Sequence, residues 1–178
     1  MRRRRPRVTT AVAVCLPLVA AACAQTVGGE AQRARPGAPD PDRSYGYVDD
    51  RCGLLQDDTV AELLAADDVV RPYSGAVCQY VLTRGDGLVD VVFSWFESGT
   101  LDRERALASE RGARVTDTDV ERHSAFTAAA SGGAGACSAT AAAGTGVVSW
   151  WVQYRPVGGS DACAAAEKLL AATLSSDM

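Results

Sequence analysis

The chain has a single histidine, His123, and neither a Cys-x-x-Cys pair nor a Gly-x-Ser-x-Gly elbow. Those absences close most ordinary routes to chemistry. A structural zinc site needs clustered cysteine and histidine ligands. A serine hydrolase needs a base beside an exposed nucleophile and an orienting acid. His123 stands next to Ser124 but without that setting, so the pair reads as a polar strand end. No catalytic residue, metal ligand or cofactor is assigned. Lysine is nearly missing too, with Lys168 standing against 17 arginines. The glycine stretches at 131–135 and 144–146 lack the strand-to-helix setting of a phosphate loop and read as turns.

What is present first is an export signal. Arg2, Arg3, Arg4, Arg5 and Arg7 precede an uncharged run over residues 8–22. That run is shorter than the roughly 20 residues a spanning helix needs, and Pro17 interrupts it. A basic start, a short apolar stretch and small residues at its end make a secretory signal. The end reads Val19-Ala20-Ala21-Ala22-Cys23 and resembles a lipobox, in which the cysteine sulfur takes diacylglycerol and becomes the new N-terminus. Ala20 replaces the usual leucine. Ordinary cleavage after Ala24 is the alternative and would give a secreted protein. The expected organisation is a signal over 1–22, a lipidated Cys23 with a flexible tether to 44, and one domain over 45–178.

Without residues 1–22 the chain has 13 basic and 22 acidic groups, a net charge of about −9. Such a surface repels phosphate backbones, so nucleic acid is not an expected partner. It also repels anionic bilayers, so membrane attachment rests on the lipid. The tether is rich in Gly, Pro and charge, and its 20 or so residues reach roughly 25 Å.

Four cysteines remain in the domain: Cys52, Cys78, Cys137 and Cys163. In an exported domain they read as two disulfides with three possible pairings. We expect Cys52–Cys78 and Cys137–Cys163, each joining a helix neighbourhood to a strand close in sequence. The even count favours lipid on Cys23.

Thr59 and Glu62 have capping-box spacing ahead of a helix at 59–66. A strand at 76–83, a Gly-Asp-Gly turn and a strand at 88–96 make the strongest hairpin signal. Arg84-Gly85-Asp86 belongs to that turn and is not read as an adhesion motif. Val89, Val91, Phe93 and Trp95 share one face of the second strand, with Asp90 and Ser94 on the other. Thr100 caps a helix at 101–111. Strands at 114–118, 124–129, 136–142 and 147–154 follow, then a helix at 161–174 with Cys163, Ala166, Leu170 and Leu174 inward. The fold class is α+β, a twisted antiparallel sheet with packed helices.

Cys52-Gly53-Leu54-Leu55 running into Glu62-Leu63-Leu64, then Cys78-Gln79-Tyr80 on a strand and Asp161-Ala162-Cys163 opening a late helix, is similar to a family of actinobacterial envelope lipoproteins of unknown function. The resemblance implies a sandwich like those of photosystem accessory proteins and kinase sensor domains. It transfers no active site.

Trp150 and Trp151 are adjacent in a strand, so their rings should face opposite sides. With Trp95 and Tyr154 they form the expected ligand or partner surface. Asp117, Asp119 and Glu121 alternate, and Asp49, Asp50, Asp57, Asp58, Glu62, Asp67 and Asp68 cluster; both groups read as solvated acidic faces. The sequence therefore points to a non-enzymatic lipoprotein, anchored to the outer face of the cell membrane. Its domain would bind a small apolar ligand or an envelope protein. A metal-dependent hydrolase using the acidic cluster, or a structural subunit of an envelope complex, are the alternatives.

Overall fold

The computed structural model describes residues 39–133, 135–158 and 160–176. The export signal, Cys23 and the tether up to residue 38 lie outside the described residues. A short ladder of β1 (Tyr47–Val48) and β2 (Arg51–Cys52) leads into α1 (Asp57–Leu63). Then come β3 (Asp68–Tyr73), β4 (Val77–Arg84) and β5 (Gly87–Phe96), a three-stranded meander. Helix α2 (Leu101–Glu110) crosses over to a four-stranded meander. That second meander is β6 (Arg114–Val120), β7 (His123–Ala129), β8 (Ala136–Ala143) and β9 (Gly146–Arg155), and α3 (Ala162–Ser175) closes the chain. Strands β5 and β9 join the halves into one antiparallel sheet of order β3-β4-β5-β9-β8-β7-β6. The fold is α+β, as expected.

Helices α1 and α3 lie on one face of the sheet and α2 on the other. The α3 face holds the main core. Val89, Val91, Phe93 and Trp95 enter it from β5, matched by Val148, Trp150, Val152 and Tyr154 from β9. Period-2 alternation on two central strands puts all eight on one side. Trp150 sits at the centre, 5.0 Å from the Phe93 ring and 6.1 Å from Tyr80, and its indole N–H donates to Thr173 Oγ1 at 2.9 Å. Towards β7 and β8 the facing residues shrink to Ala125, Ala139, Ala141 and Ala143, and α3 answers with Ala162, Ala165 and Ala166. Small residues on both sides let helix and sheet approach closely without voids.

The inner face of α3 is wider than expected. It buries Ala162, Ala165, Ala166, Leu169, Leu170, Thr173 and Leu174, while Cys163 is half-buried. Its cap is Asp161, whose Oδ1 accepts from the backbone N–H of Cys163 at 2.9 Å and of Ala164 at 3.2 Å. Thr100 caps α2, with Oγ1 accepting from Arg103 N–H at 3.4 Å. The expected capping box of α1 is not formed: the helix starts two residues before Thr59, after Gln56, and Asp57 and Asp58 occupy its first turn. Two carboxylates beside the positive end of the helix do the work a hydroxyl cap would have done.

Both disulfides form, Cys52–Cys78 from the end of β2 to β4, and Cys137–Cys163 from β8 to the first turn of α3. The start of the described chain is also fastened. Tyr45 is fully buried against Trp95, ring centroids 5.7 Å apart, and its hydroxyl donates to Asp40. Asp40 accepts from Gly144 N–H at 3.1 Å, and Arg43 donates to the carbonyls of Leu174 and Ser176. Gly144 has φ +50, and a Cβ there would lie 2.0 Å from the Arg43 carbonyl oxygen, so only glycine fits beneath this segment.

Strand β3 was not expected. Its sequence, DVVRPY, has weak alternation and contains Pro72, and its register shifts between Val70 and Tyr73. Proline is tolerated because β3 is an edge strand, where a missing N–H leaves no neighbour unsatisfied.

Candidate functional site

The face of the sheet opposite α3 is only half covered. Helix α2 lies over the β6–β7–β8 half, packing Leu101 and Ala108 against Phe126, Ala128 and Val147. Nothing described covers β3, β4 and β5 on this side. Cross-strand pairing sets what that surface presents. One row runs Tyr73, Gln79, Val92, Trp151, Ser138; a second runs Val70, Val81, Asp90, Gln153; a third runs Val77, Ser94, Ser149, Thr140, Phe126. Val70, Tyr73, Val77, Leu88 and Phe96 are all exposed here, five of the eight exposed large hydrophobics among the described residues. Scattered apolar residues are ordinary on a surface, but here five share one uncovered sheet face, with the partly exposed Val81 and Val92 between them and Gln79, Asp90 and Ser94 interleaved, which suits a contact site.

Where the bare half meets α2, a groove of about 210 Å³ opens. The helix itself is the reason. Leu101, Glu104, Arg105 and Ala108 point at the sheet by helical spacing, and only Leu101 is large and apolar. Arg105 is pinned over the Phe126 ring at 5.3 Å and pairs with Asp117. Ala108, one turn further on, reaches too little to close the gap. Trp151 and four hydroxyl side chains of β5, β8 and β9 form the groove floor, with Glu104 and Arg111 on the helical side. Thr140 and Ser149 share a hydrogen bond at 2.8 Å.

Of the four aromatics expected to form a binding surface, the structure brings only Trp151 to this face. Trp150 is fully buried, and Trp95 and Tyr154 are nearly so, at 8% and 9% exposure. The physical reason is register: positions 95, 150 and 154 take the α3 side of their strands, and Tyr45 covers Trp95. Arg84 lies over the Tyr154 ring at 5.6 Å and donates to Ser160 at 2.9 Å, which ties the arginine of the 84–86 tripeptide to β9 and to the loop before α3.

His123 is buried at a strand end, its Nδ1 2.8 Å from the Ala142 carbonyl oxygen and 3.8 Å from Asp40. Ser124 points to the other side of β7, at the Asp119 position of β6, so no nucleophile–base pair forms. The acidic residues are spread out, and Asp49, Asp50, Asp57 and Asp117 are paired with arginine. Arg71 holds Asp57 at 3.1 Å and also pairs with Asp50. The Tyr47 hydroxyl, donating at 2.6 Å, and then the Arg71 charge pull the Asp50 carboxyl below its ordinary value, whereas burial pushes Asp57 up against the same arginine. Asp117 and Asp119 share a face of β6, but Glu121 falls in the following turn at φ +48. Among the described residues no three histidine, cysteine or carboxylate side chains come together in a way that could hold a metal ion, and no helix is long and apolar enough to cross a membrane.

The bare sheet half is what sequence reasoning missed. One signal was available: the outward positions of β5 carry Leu88, Val92 and Phe96 between Asp90 and Ser94. A strand with apolar residues on both faces has something to cover on both faces.

Comparison with known proteins agrees with the resemblance to a lipoprotein family of unknown function. The chain is similar to proteins named "Putative lipoprotein LprB" from two strains of Mycobacterium tuberculosis and from Mycobacterium bovis. Each is 30% identical over 135 residues, covering 72% of this chain and 71% of the relative. No solved structure matches, so the expected likeness to photosystem accessory and kinase sensor domains gains no support. The pattern of one family matches residues 18–176, nearly the whole chain, and the protein belongs to that family, described as "Protein of unknown function (DUF3558)".

Proposed function

We propose that this protein is a lipid-anchored lipoprotein of the cell envelope that works by binding rather than by catalysis, and that its contact surface is the bare half of the sheet. The observation that carries the reading is the grouping of Val70, Tyr73, Val77, Leu88 and Phe96 on one uncovered face. The lipoprotein name borne by its relatives and the Ala22-Cys23 junction support the anchor. The four domain cysteines are used up in two bonds, which leaves Cys23 free for lipid.

The partner that suits this face is a protein. An open, three-strand surface with no deep enclosure excludes water well only against another broad surface, whereas small apolar ligands are held in concave pockets. Asp90, paired with Arg155 at 2.7 Å, and Gln79 interrupt the apolar residues of this face with polar groups.

The test is a double substitution, Val70→Asp with Tyr73→Asp, both on exposed positions of the edge strand. The expected outcome is an unchanged melting temperature, with a higher-mass complex on a native gel of gently solubilised membranes for the unaltered protein and none for the variant. A complex that survives both charges would count against this face.

A further inference from the structure

The groove beneath α2 differs in chemistry from the bare face beside it. A void left by imperfect apolar packing is lined by apolar atoms and stays dry. Here the floor carries the half-buried Trp151 indole flanked by Ser94 and Ser138, and the helical rim carries Glu104 and Arg111. None of these four polar side chains makes a hydrogen bond or ion pair with another described residue. An aromatic plate, unengaged hydroxyls, one acceptor and one donor group therefore face a single opening.

Charge narrows the ligand. An anion would sit against Glu104 and a cation against Arg111, so a ligand of one sign gains little. Seven positions separate the two residues, roughly 10.5 Å along the helix axis. They bracket the groove, too far apart for the ammonium and carboxylate of one α-amino acid. An apolar ligand would strip water from the hydroxyls and charges without replacing their hydrogen bonds. A neutral polyol meets none of these objections, because each hydroxyl both donates and accepts.

We infer that the groove binds one neutral sugar ring, its C–H face against Trp151 and its hydroxyls bonded to Ser94, Ser138, Glu104 and Arg111. About 210 Å³ accommodates a single ring rather than an oligosaccharide. The groove borders the protein-docking face and shares Phe96 with it, but it uses neither Val70 nor Tyr73.

The experiment is a fluorescence and calorimetric titration of the full lipoprotein in a sugar-free polyoxyethylene detergent. The probes are D-glucose, D-galactose, D-mannose and N-acetyl-D-glucosamine, with anilinonaphthalene sulfonate as an apolar control. At least one sugar should give a saturable change in indole emission. Binding should weaken about tenfold or more in Trp151→Ala, the loss of one good contact, and several-fold in Ser138→Ala and Arg111→Ala. Arg111 lies on the exposed rim, so that variant keeps the test alive if Trp151→Ala fails to fold. No response to any of the four sugars would overturn the inference. So would equal affinity in all three variants, or competition for the groove by the apolar probe alone. The Val70→Asp, Tyr73→Asp protein should bind the sugar unchanged, which separates failure of this site from failure of the docking face.

Discussion

Trp150 donates its indole N–H to Thr173 from the centre of the core, while Trp151 leaves the opposite face of the same strand and is only partly buried. Their substitution should separate accordingly. Trp150→Ala removes a side chain packed on all sides and should cost about 3–5 kcal/mol of stability. Trp151→Ala should cost less, roughly 2 kcal/mol, since part of its surface is never withdrawn from water. Urea unfolding of the two variants gives the comparison, and equal losses would mean the strand register is wrong. Tyrosines supply a pH test. Burial, aided at Tyr45 by the Asp40 carboxylate, raises the ionisation of Tyr45, Tyr80 and Tyr154 above the ordinary value. Their contribution to stability is fully present below about pH 10, where the unfolded chain holds its phenolic protons too. It is lost as pH rises above that, because the unfolded state releases protons the fold retains. The urea midpoint should therefore fall steeply above pH 10; phenolate absorbance from all five tyrosines in a still-folded sample would contradict this.

At the level of elements, the parts legible in the sequence are those whose pattern and packing agree. The β4–β5 hairpin, α2, the four-strand run and α3 were all readable, because alternation, glycine turns and caps mark their ends. Edge strand β3 was not, since an edge needs only one partner and tolerates Pro72 and weak alternation. The site was half legible. Opposed rings at 150 and 151 follow from the period of a strand, but which ring faces the core depends on where α3 packs, and local sequence does not carry that. The role of α2 was hidden for a related reason. It reads as a sound helix by its cap and spacing, yet only Leu101 is fully buried, against seven buried residues in α3. Hydrogen exchange should therefore be much faster across α2 amides than across α3, which opens only with the core. Replacing Cys137 and Cys163 together by alanine should lower stability by about 3 kcal/mol, read from urea unfolding with and without reductant.

At the scale of the molecule, the disulfide-bonded domain has one sheet face closed by α1 and α3 and the other half open; the proposed function adds a lipid on Cys23 that holds it at a membrane. Attachment through Cys23 implies that Cys23→Ala releases the protein to the medium or leaves it unprocessed; unchanged mass and membrane retention would argue otherwise. The central claim is that the bare half of the sheet is where a protein partner docks. Its most direct test is photo-crosslinking in living cells, with a benzophenone amino acid placed at Tyr73 on the bare face or at Arg103 on the outer side of α2. The account predicts a discrete heavier adduct from position 73 and none from position 103. No adduct from 73, or the same adduct from both, would contradict it.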